Sequence, residues 1–408
     1  MKLLFLTPLV GLLAACGTNT PTDRASLEKE LSDSLTLLSQ SADINGFCVA
    51  LAGPDGVLYH RGFGRSDVAR HLPYGDHTRQ PIASISKTLV GLAVLKAQQL
   101  GKLQLDDPIA EHLPFAIINP NHAEVPITLR HLVTHTSSIT DTDDYLHRTY
   151  ILSDTADLQA HLSIDISPCR FSAPSAALPM ETFLRRYLMK DSAYYSNSAF
   201  MDTKPGERFE YSNVGATLAA LVVEKATGMS FDAFTQQHIL DPLGMASSYW
   251  RMGPRSDIQM TQLYRTRTEH YPDYYCITYP DGGFVSTPAD MAKYVAELIR
   301  GHRGEGTVLD KAGYAEYFRE QLTAAHFVDR AKGPFTDEHN MGILMGFGSG
   351  TYFGHTGGDP GTFSMLFVDR STGVGRYLIV NTDLEDFTHH IRIWELLGRY
   401  GEKLAAVE

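Results

Sequence analysis

The sequence predicts an α+β fold: one antiparallel sheet built from N- and C-terminal segments, flanked by helices, with an inserted, mainly helical region. Three observations predict it. Strand-like runs lie at both ends of the chain, helical stretches lie between them, and beyond the N-terminal region there is neither an internal repeat nor a low-complexity segment. The 408 residues, 43% hydrophobic and 20% charged, have the composition of an ordinary globular chain. A formal net charge of -12 argues against non-specific binding to nucleic acid or to anionic lipid headgroups.

Residues 1–15 read as a lipoprotein signal peptide. The apolar run Leu3 to Ala15 is shorter than the roughly 20 residues that span a bilayer. It ends Leu13-Ala14-Ala15-Cys16, which resembles a bacterial lipobox, so Cys16 is the expected lipidation site and the only expected contact with membrane is that anchor. Residues 16–24 read as a flexible tether, and 25–408 as a single domain. The resemblance implies the bacterial cell envelope, and Gly17 after the cysteine, in place of Asp, favours the outer membrane facing the periplasm if the cell is Gram-negative. Cys48, Cys169 and Cys276 remain, too few for a disulfide framework and without zinc spacing; Cys48 reads as a small buried hydrophobe.

Leu27, Leu31, Leu35 and Leu38 recur at helical spacing and predict a first amphipathic helix. Gly46 to Ala52 and Val57 to Phe63, joined by Pro54-Asp55-Gly56, predict a hairpin. A helix is expected from Ser84 to Leu100, stopped at Gly101. Further helices are expected over Thr128 to Val133, Asn213 to Thr227, Phe231 to His238 and Pro288 to Arg300, with caps at Thr128, Ser212, Ser230 and Thr287. The stretch 139–200 shows no clear period and reads as long loops or short helices. Strands follow over Gly342 to Phe347, Thr351 to His355, Thr362 to Val368 and Gly375 to Val380, then a helix from Glu385 to Tyr400.

Ser84-Ile85-Ser86-Lys87 places a hydroxyl and an amine three residues apart on one helix face, where the amine can reach the hydroxyl. A serine becomes nucleophilic when a neighbouring base removes its proton, and a helix N-terminus favours the developing negative charge. Ser26 to Lys29 has the same spacing but sits on a surface helix beside the tether, whereas Ser84 lies between apolar Pro81-Ile82-Ala83 and a buried-looking helix. Tyr211-Ser212-Asn213 follows a Pro-Gly turn and opens a helix. A nearby ammonium is expected to lower the Tyr211 pKa for proton exchange, and the Asn213 amide can hold the lysine or a substrate carbonyl. The second Tyr-Ser-Asn, Tyr195 to Asn197, reads as a surface or cleft aromatic. His355-Thr356-Gly357, followed by Gly358, sits at a strand end, where glycine lets a backbone approach an extended substrate. His131 and His135 are four apart, but no Glu stands between them at the metalloprotease position, so a structural role near the cleft is expected and no metal site. The Gly-x-Ser-x-Gly elbow of α/β-hydrolases is absent.

Ser-x-x-Lys, Tyr-x-Asn and His-Thr-Gly in that chain order resemble the serine β-lactamase and penicillin-binding-protein superfamily. The resemblance is to its class C β-lactamase-like branch, with its esterases, DD-peptidases and D-amino-acid peptidases. It extends over segments 82–114, 127–139, 205–234, 282–294 and 354–363. It implies the β-lactamase/transpeptidase-like fold, Ser84 as acylated nucleophile, and Lys87 and Tyr211 sharing the general-base work. It also implies an oxyanion hole from the backbone N–H groups of Ser84 and Gly358, substrate binding by Asn213, His355, Thr356 and Gly357, and no cofactor. The expected partner is a small-molecule or peptide substrate. Two positions depart from the pattern. Ser138 stands where the family often has Gly, and His355 replaces the lysine of true class C β-lactamases. A mostly neutral imidazole binds a substrate carboxylate less strongly than an ammonium does. Carboxylesterase or amidase therefore leads, D-amino-acid or DD-peptidase follows, and β-lactamase comes third. A catalytically idle envelope scaffold is the reading from another class, and such a scaffold has no need of Ser84, Lys87, Tyr211 and His355 together.

Overall fold

The computed structural model describes residues 23–41, 43–255, 259–383 and 385–407. The signal peptide, Cys16 and most of the tether lie outside the described residues. Asp23 and Arg24, assigned to the tether from sequence, instead begin the first helix, Arg24–Ser41: the Asp23 carboxylate accepts the Ser26 N–H at 2.7 Å.

One antiparallel sheet organises the chain. Its spatial order is Asn340–Met341, Gly346–Phe347, Tyr352–Asp359, Thr362–Asp369, Gly375–Val380, Gly46–Gly53, Gly56–Asp67 and Leu72–Pro73. The two ends of the sequence meet in its middle, where Phe47 lies opposite Val380 and Ala52 opposite Gly375. The strand Gly46–Gly53 is buried throughout, because successive side chains feed two different cores. Phe47, Val49 and Leu51 pack with Leu27, Leu31 and Leu35 of the first helix and with Ile393, Trp394 and Leu397 of the last, Thr388–Ala405. Cys48, Ala50 and Ala52 face the larger core around the helices Ser86–Gln99 and Pro288–His302. Cys48 is thus the small buried hydrophobe expected, and Cys48, Cys169 and Cys276 are all free thiols.

Most expected elements form, with informative differences. The run Gly342 to Phe347 is not one strand but two short ones, Asn340–Met341 and Gly346–Phe347. Leu344 takes a left-handed φ of 53° between them, and its N–H donates to the Val133 carbonyl at 2.8 Å instead of to a neighbouring strand. The expected strand Thr351 to His355 runs on to Asp359, so the glycines of the His-Thr-Gly-Gly segment are strand residues and the turn falls at Pro360–Gly361. Ser230 makes no cap; the Glu224 carboxylate accepts the Phe231 N–H at 2.8 Å instead, and the helix continues past Thr235 as a wider turn, Gln236–Leu240. Within 139–200, the short strand Tyr150–Leu152 joins Phe171–Ser172 and Tyr274–Cys276 over a small apolar cluster of Leu152, Phe171, Leu263, Tyr271 and Tyr274. Three-residue strands leave no period to read.

Candidate active site

Ser84 lies in a single tight turn, Ala83–Ile85, that runs straight into the helix Ser86–Gln99. Its hydroxyl caps neither element, so it is not spent on the helix end. The preceding Ala83 holds a left-handed φ of 51°, a conformation that costs an alanine on the order of 1 kcal/mol or more. Neighbours hold the turn in place. The Ile82 N–H donates to the Phe284 carbonyl at 2.8 Å, and the Ser364 hydroxyl donates to the Ile82 carbonyl at 2.9 Å. The strand Tyr352–Asp359 closes against this turn at Gly357, where a Cβ would lie 2.7 Å from the Ile82 oxygen and 2.4 Å from the Ser364 hydroxyl.

Lys87, one helical turn on, is fully buried. Its Nζ donates to Ser84 Oγ at 2.9 Å and to the Asp281 backbone carbonyl at 2.6 Å. Burial lowers its pKa below the ordinary lysine value and outweighs the opposing charges of Asp281, Asp141, Asp359 and Asp337. A buried amine this close to the serine oxygen is placed to accept its proton.

Tyr211 precedes the helix Asn213–Thr227, and its ring centre is 5.2 Å from Lys87 Nζ. The expectation that the ammonium lowers its pKa is overturned. Burial, reinforced by the negative charge of Asp337, raises the Tyr211 phenol well above its usual value, and the contact with the Ser84 hydroxyl only partly opposes this. Tyr211 is therefore held as a neutral phenol. Asn213 does not hold Lys87: its amide donates to the Asp141 carboxylate at 2.8 Å. Asp141 also accepts the N–H groups of Asn213 and Val214 and the Ser212 hydroxyl, and so anchors the helix start behind Tyr211.

His355 is fully buried, its ring 6.1 Å from that of Tyr211, and its Nδ1 lies 2.8 Å from Asp337 Oδ2. Thr356 donates its hydroxyl to the other Asp337 oxygen at 3.1 Å. Gly358 is exposed, with no neighbour where a side chain would stand. The strand Gly346–Phe347 pairs only with Gly354 and Phe353, so from His355 onward that edge of Tyr352–Asp359 faces the nucleophile turn and not another strand. A cavity of about 520 Å³ opens beside Gly358, lined by Tyr150, Cys169, Tyr271 and Asp359 among others.

Ser84, Lys87, Tyr211, His355, Thr356, Gly357 and Gly358 thus converge, while Asn213 is turned to a supporting carboxylate. Sequence reasoning missed Asp281, Asp141 and Asp337. Asp281 is clamped by the Tyr145 hydroxyl and by Thr217 Oγ1 at 3.0 Å, which fixes the carbonyl that Lys87 binds. No spacing rule points to such groups, although Asp281 sits directly before Gly282-Gly283. The decoys fall away from the cluster: Lys29 pairs with Asp33 on an exposed surface, and the Tyr195 hydroxyl donates to its own neighbour Asn197. His131 and His135 are structural. Each Nδ1 accepts a backbone N–H, from Thr128 and Ser212 respectively, and the His135 ring packs at 4.6 Å on Tyr211. Ser138 sits at φ 62°, a conformation that favours glycine, and its hydroxyl donates to the Thr203 carbonyl at 2.8 Å.

The family model "Beta-lactamase" matches residues 27–398. Among curated relatives, a penicillin-binding protein of Bacillus subtilis (strain 168) is 25% identical over 352 residues, covering 83% of this chain and 68% of that one. "Protein flp" of Staphylococcus aureus (strain MW2) is 28% identical over 210 residues, covering 50% of this chain; the match spans only 35% of its own length. Among solved structures, the D-amino acid amidase from Ochrobactrum anthropi SV3 complexed with D-phenylalanine superposes with a TM-score of 0.64 at 20% identity, over 91% of this chain and 99% of that one. With the family model covering nearly the whole described fold, the chain belongs to the beta-lactamase family.

Proposed function

We propose that the chain is a lipid-anchored serine hydrolase of the bacterial cell envelope that cleaves esters or amides through a Ser84 acyl-enzyme, with carboxylesterase or amidase activity foremost. The observation that carries this reading is the 2.9 Å contact between Ser84 Oγ and the buried Nζ of Lys87. In its neutral form Lys87 takes the serine proton as Oγ attacks the carbonyl carbon. The oxyanion is received by the N–H groups of Ser84 and Gly358. Collapse expels the alcohol or amine, which takes its proton from the Tyr211–Lys87 pair. Water then attacks the ester carbon by the reverse proton route and releases the acid. A D-amino-acid or DD-peptidase is the second reading, favoured by the likeness to a penicillin-binding protein and to a D-amino acid amidase. β-Lactamase activity ranks third, because His355 supplies no lysine ammonium. The anchor rests on Leu13-Ala14-Ala15-Cys16.

Labelling with a fluorophosphonate and a fluorescent penicillin, side by side, tests the reading. Both labels should map to the Ser84 peptide and vanish in Ser84→Ala, with the fluorophosphonate reacting faster. Labelling that persists in Ser84→Ala would sink the mechanism, and faster penicillin labelling would favour the peptidase reading.

A further inference from the structure

The Asp337 carboxylate draws together the donors at one end of the substrate-facing strand. His355 Nδ1 lies 2.8 Å from Asp337 Oδ2 and 2.6 Å from the Thr356 carbonyl oxygen. Both neighbours are acceptors, so Nδ1 carries a hydrogen whether the ring is neutral or charged. The Thr356 hydroxyl donates to Asp337 Oδ1 at 3.1 Å, and the Thr356 N–H points to Oδ2 at 3.4 Å. Asp337 is itself buried, 7% exposed, and it is seated there by Gly346, where a Cβ would come within 2.3 Å of the Asp337 side chain. The other nitrogen of His355, Nε2, is buried and has no hydrogen-bond partner among the described residues. In the neutral ring it is a bare lone pair, and in the charged ring its proton is balanced by Asp337.

We propose that Asp337 is a built-in carboxylate that occupies the His355 and Thr356 donors at the nucleophile end of the strand and sets a negative charge there, so that the site selects acyl substrates carrying no carboxylate at that end. This rests on the Ser84 acyl-enzyme reading and adds to it a specificity-determining residue. Three donors, His355 Nδ1–H and the Thr356 N–H and hydroxyl, are already turned to Asp337 and not to the substrate side. While Asp337 is ionised, its pair with His355 carries no net positive charge, so His355 is not a weaker version of a lysine receptor but half of an internal pair. A lysine placed at position 355 would meet the same internal anion.

The test compares kcat/KM for two p-nitrophenyl esters of matched length, the butyrate and the carboxylate-bearing hemisuccinate, in the full chain. The wild type should favour the butyrate. Asp337→Asn keeps the shape and removes the charge, and should raise the hemisuccinate-to-butyrate ratio about tenfold, mainly through KM, as expected when a buried like charge no longer opposes the substrate carboxylate. His355→Lys alone should move the ratio by less than about threefold, because its ammonium pairs with Asp337, and the double variant should exceed either single variant. An equal fall for both esters in Asp337→Asn makes Asp337 a structural clamp and overturns the proposal. So does a tenfold rise in His355→Lys with Asp337 intact, and that arm decides the matter alone if Asp337→Asn does not fold. Loss of all ester turnover together with an unlabelled Ser84 would instead remove the acyl-enzyme reading, and this inference with it.

Discussion

Lys87 is fully buried, and its Nζ is held between Ser84 Oγ and the Asp281 carbonyl. That enclosure converts a surface-type ammonium into a usable base. Because burial lowers its pKa, kcat/KM for a neutral ester should rise with pH and level off below 10.5, the ordinary lysine value. Lys87→Met, which keeps the bulk, should lose about 10²–10⁴-fold in kcat/KM and abolish that rise; a profile left flat in the wild type would take the base role from Lys87. Asp359 gives a second residue-scale prediction, this time on stability. Burial pushes its carboxyl up to about 7, against the Tyr150 hydroxyl that donates to it at 2.5 Å. Between the free value of 3.8 and about 7 the folded chain holds a proton that the unfolded chain has released. Stability from this group is therefore full below about pH 4 and lost as pH climbs through 7. Asp359→Asn should melt higher than the wild type at pH 8, by on the order of 1 kcal/mol or more, and equal it near pH 4. Melts at pH 4, 6 and 8 check the trend, and a gap that does not grow with pH would refute it.

The nucleophile turn and the strand Tyr352–Asp359 act as one part, since Gly357 packs against Ile82 and Ala83 with no room for a methyl group. Gly357→Ala puts its Cβ 2.7 Å from the Ile82 oxygen and 3.1 Å from the Ala83 Cβ, and must push strand and turn apart. A shift of that kind should lower kcat by about 10²-fold. KM and the far-ultraviolet circular dichroism should change little, because the rest of the sheet register is untouched. Wild-type kcat in Gly357→Ala would show that the spacing does not matter. The helix Asn213–Thr227 is positioned by the same logic: its half-buried cap Asp141 comes from a segment with no readable period, and it sets where Tyr211 stands. Regular elements were legible from apolar spacing and from caps such as Ser212 and Thr287, each of which accepts an N–H three residues on. The broken strand at Leu344 was not, because a left-handed leucine is stabilised by the Val133 carbonyl, a partner more than two hundred residues away.

At the scale of the whole molecule, the sheet is completed only when its two chain ends pair, with Gly46–Gly53 between Gly56–Asp67 and Gly375–Val380. This brings the helix Arg24–Ser41 onto the face of the sheet away from Ser84, packed with Thr388–Ala405. The proposed anchor, Cys16, rests on Leu13-Ala14-Ala15-Cys16 in the sequence. Two acyl chains on a processed cysteine hold a protein to a bilayer far better than one. Cys16→Ser should therefore leave the protein unprocessed or release it into the soluble envelope fraction, as read by membrane fractionation and intact mass. A fully processed Cys16→Ser protein that still sediments with membranes would refute the anchor.

Local chemistry determined what could be read from the sequence alone. A hydroxyl and an amine three residues apart, a tyrosine at a helix start, a His-Thr-Gly on a strand and alternating apolar residues all act over short spans, and their spacing survives in one dimension. The tertiary structure alone decided the electrostatics. Asp281, Asp141 and Asp337 reach the cluster from separate loops, and together with burial they hold Tyr211 protonated, where the sequence suggested an ionisable phenol. Asp337 also turns His355 from an open donor into one half of an internal pair. The physical reason is that a pKa, or the direction of a hydrogen bond, depends on what lies within a few ångströms, and most of those neighbours are distant along the chain.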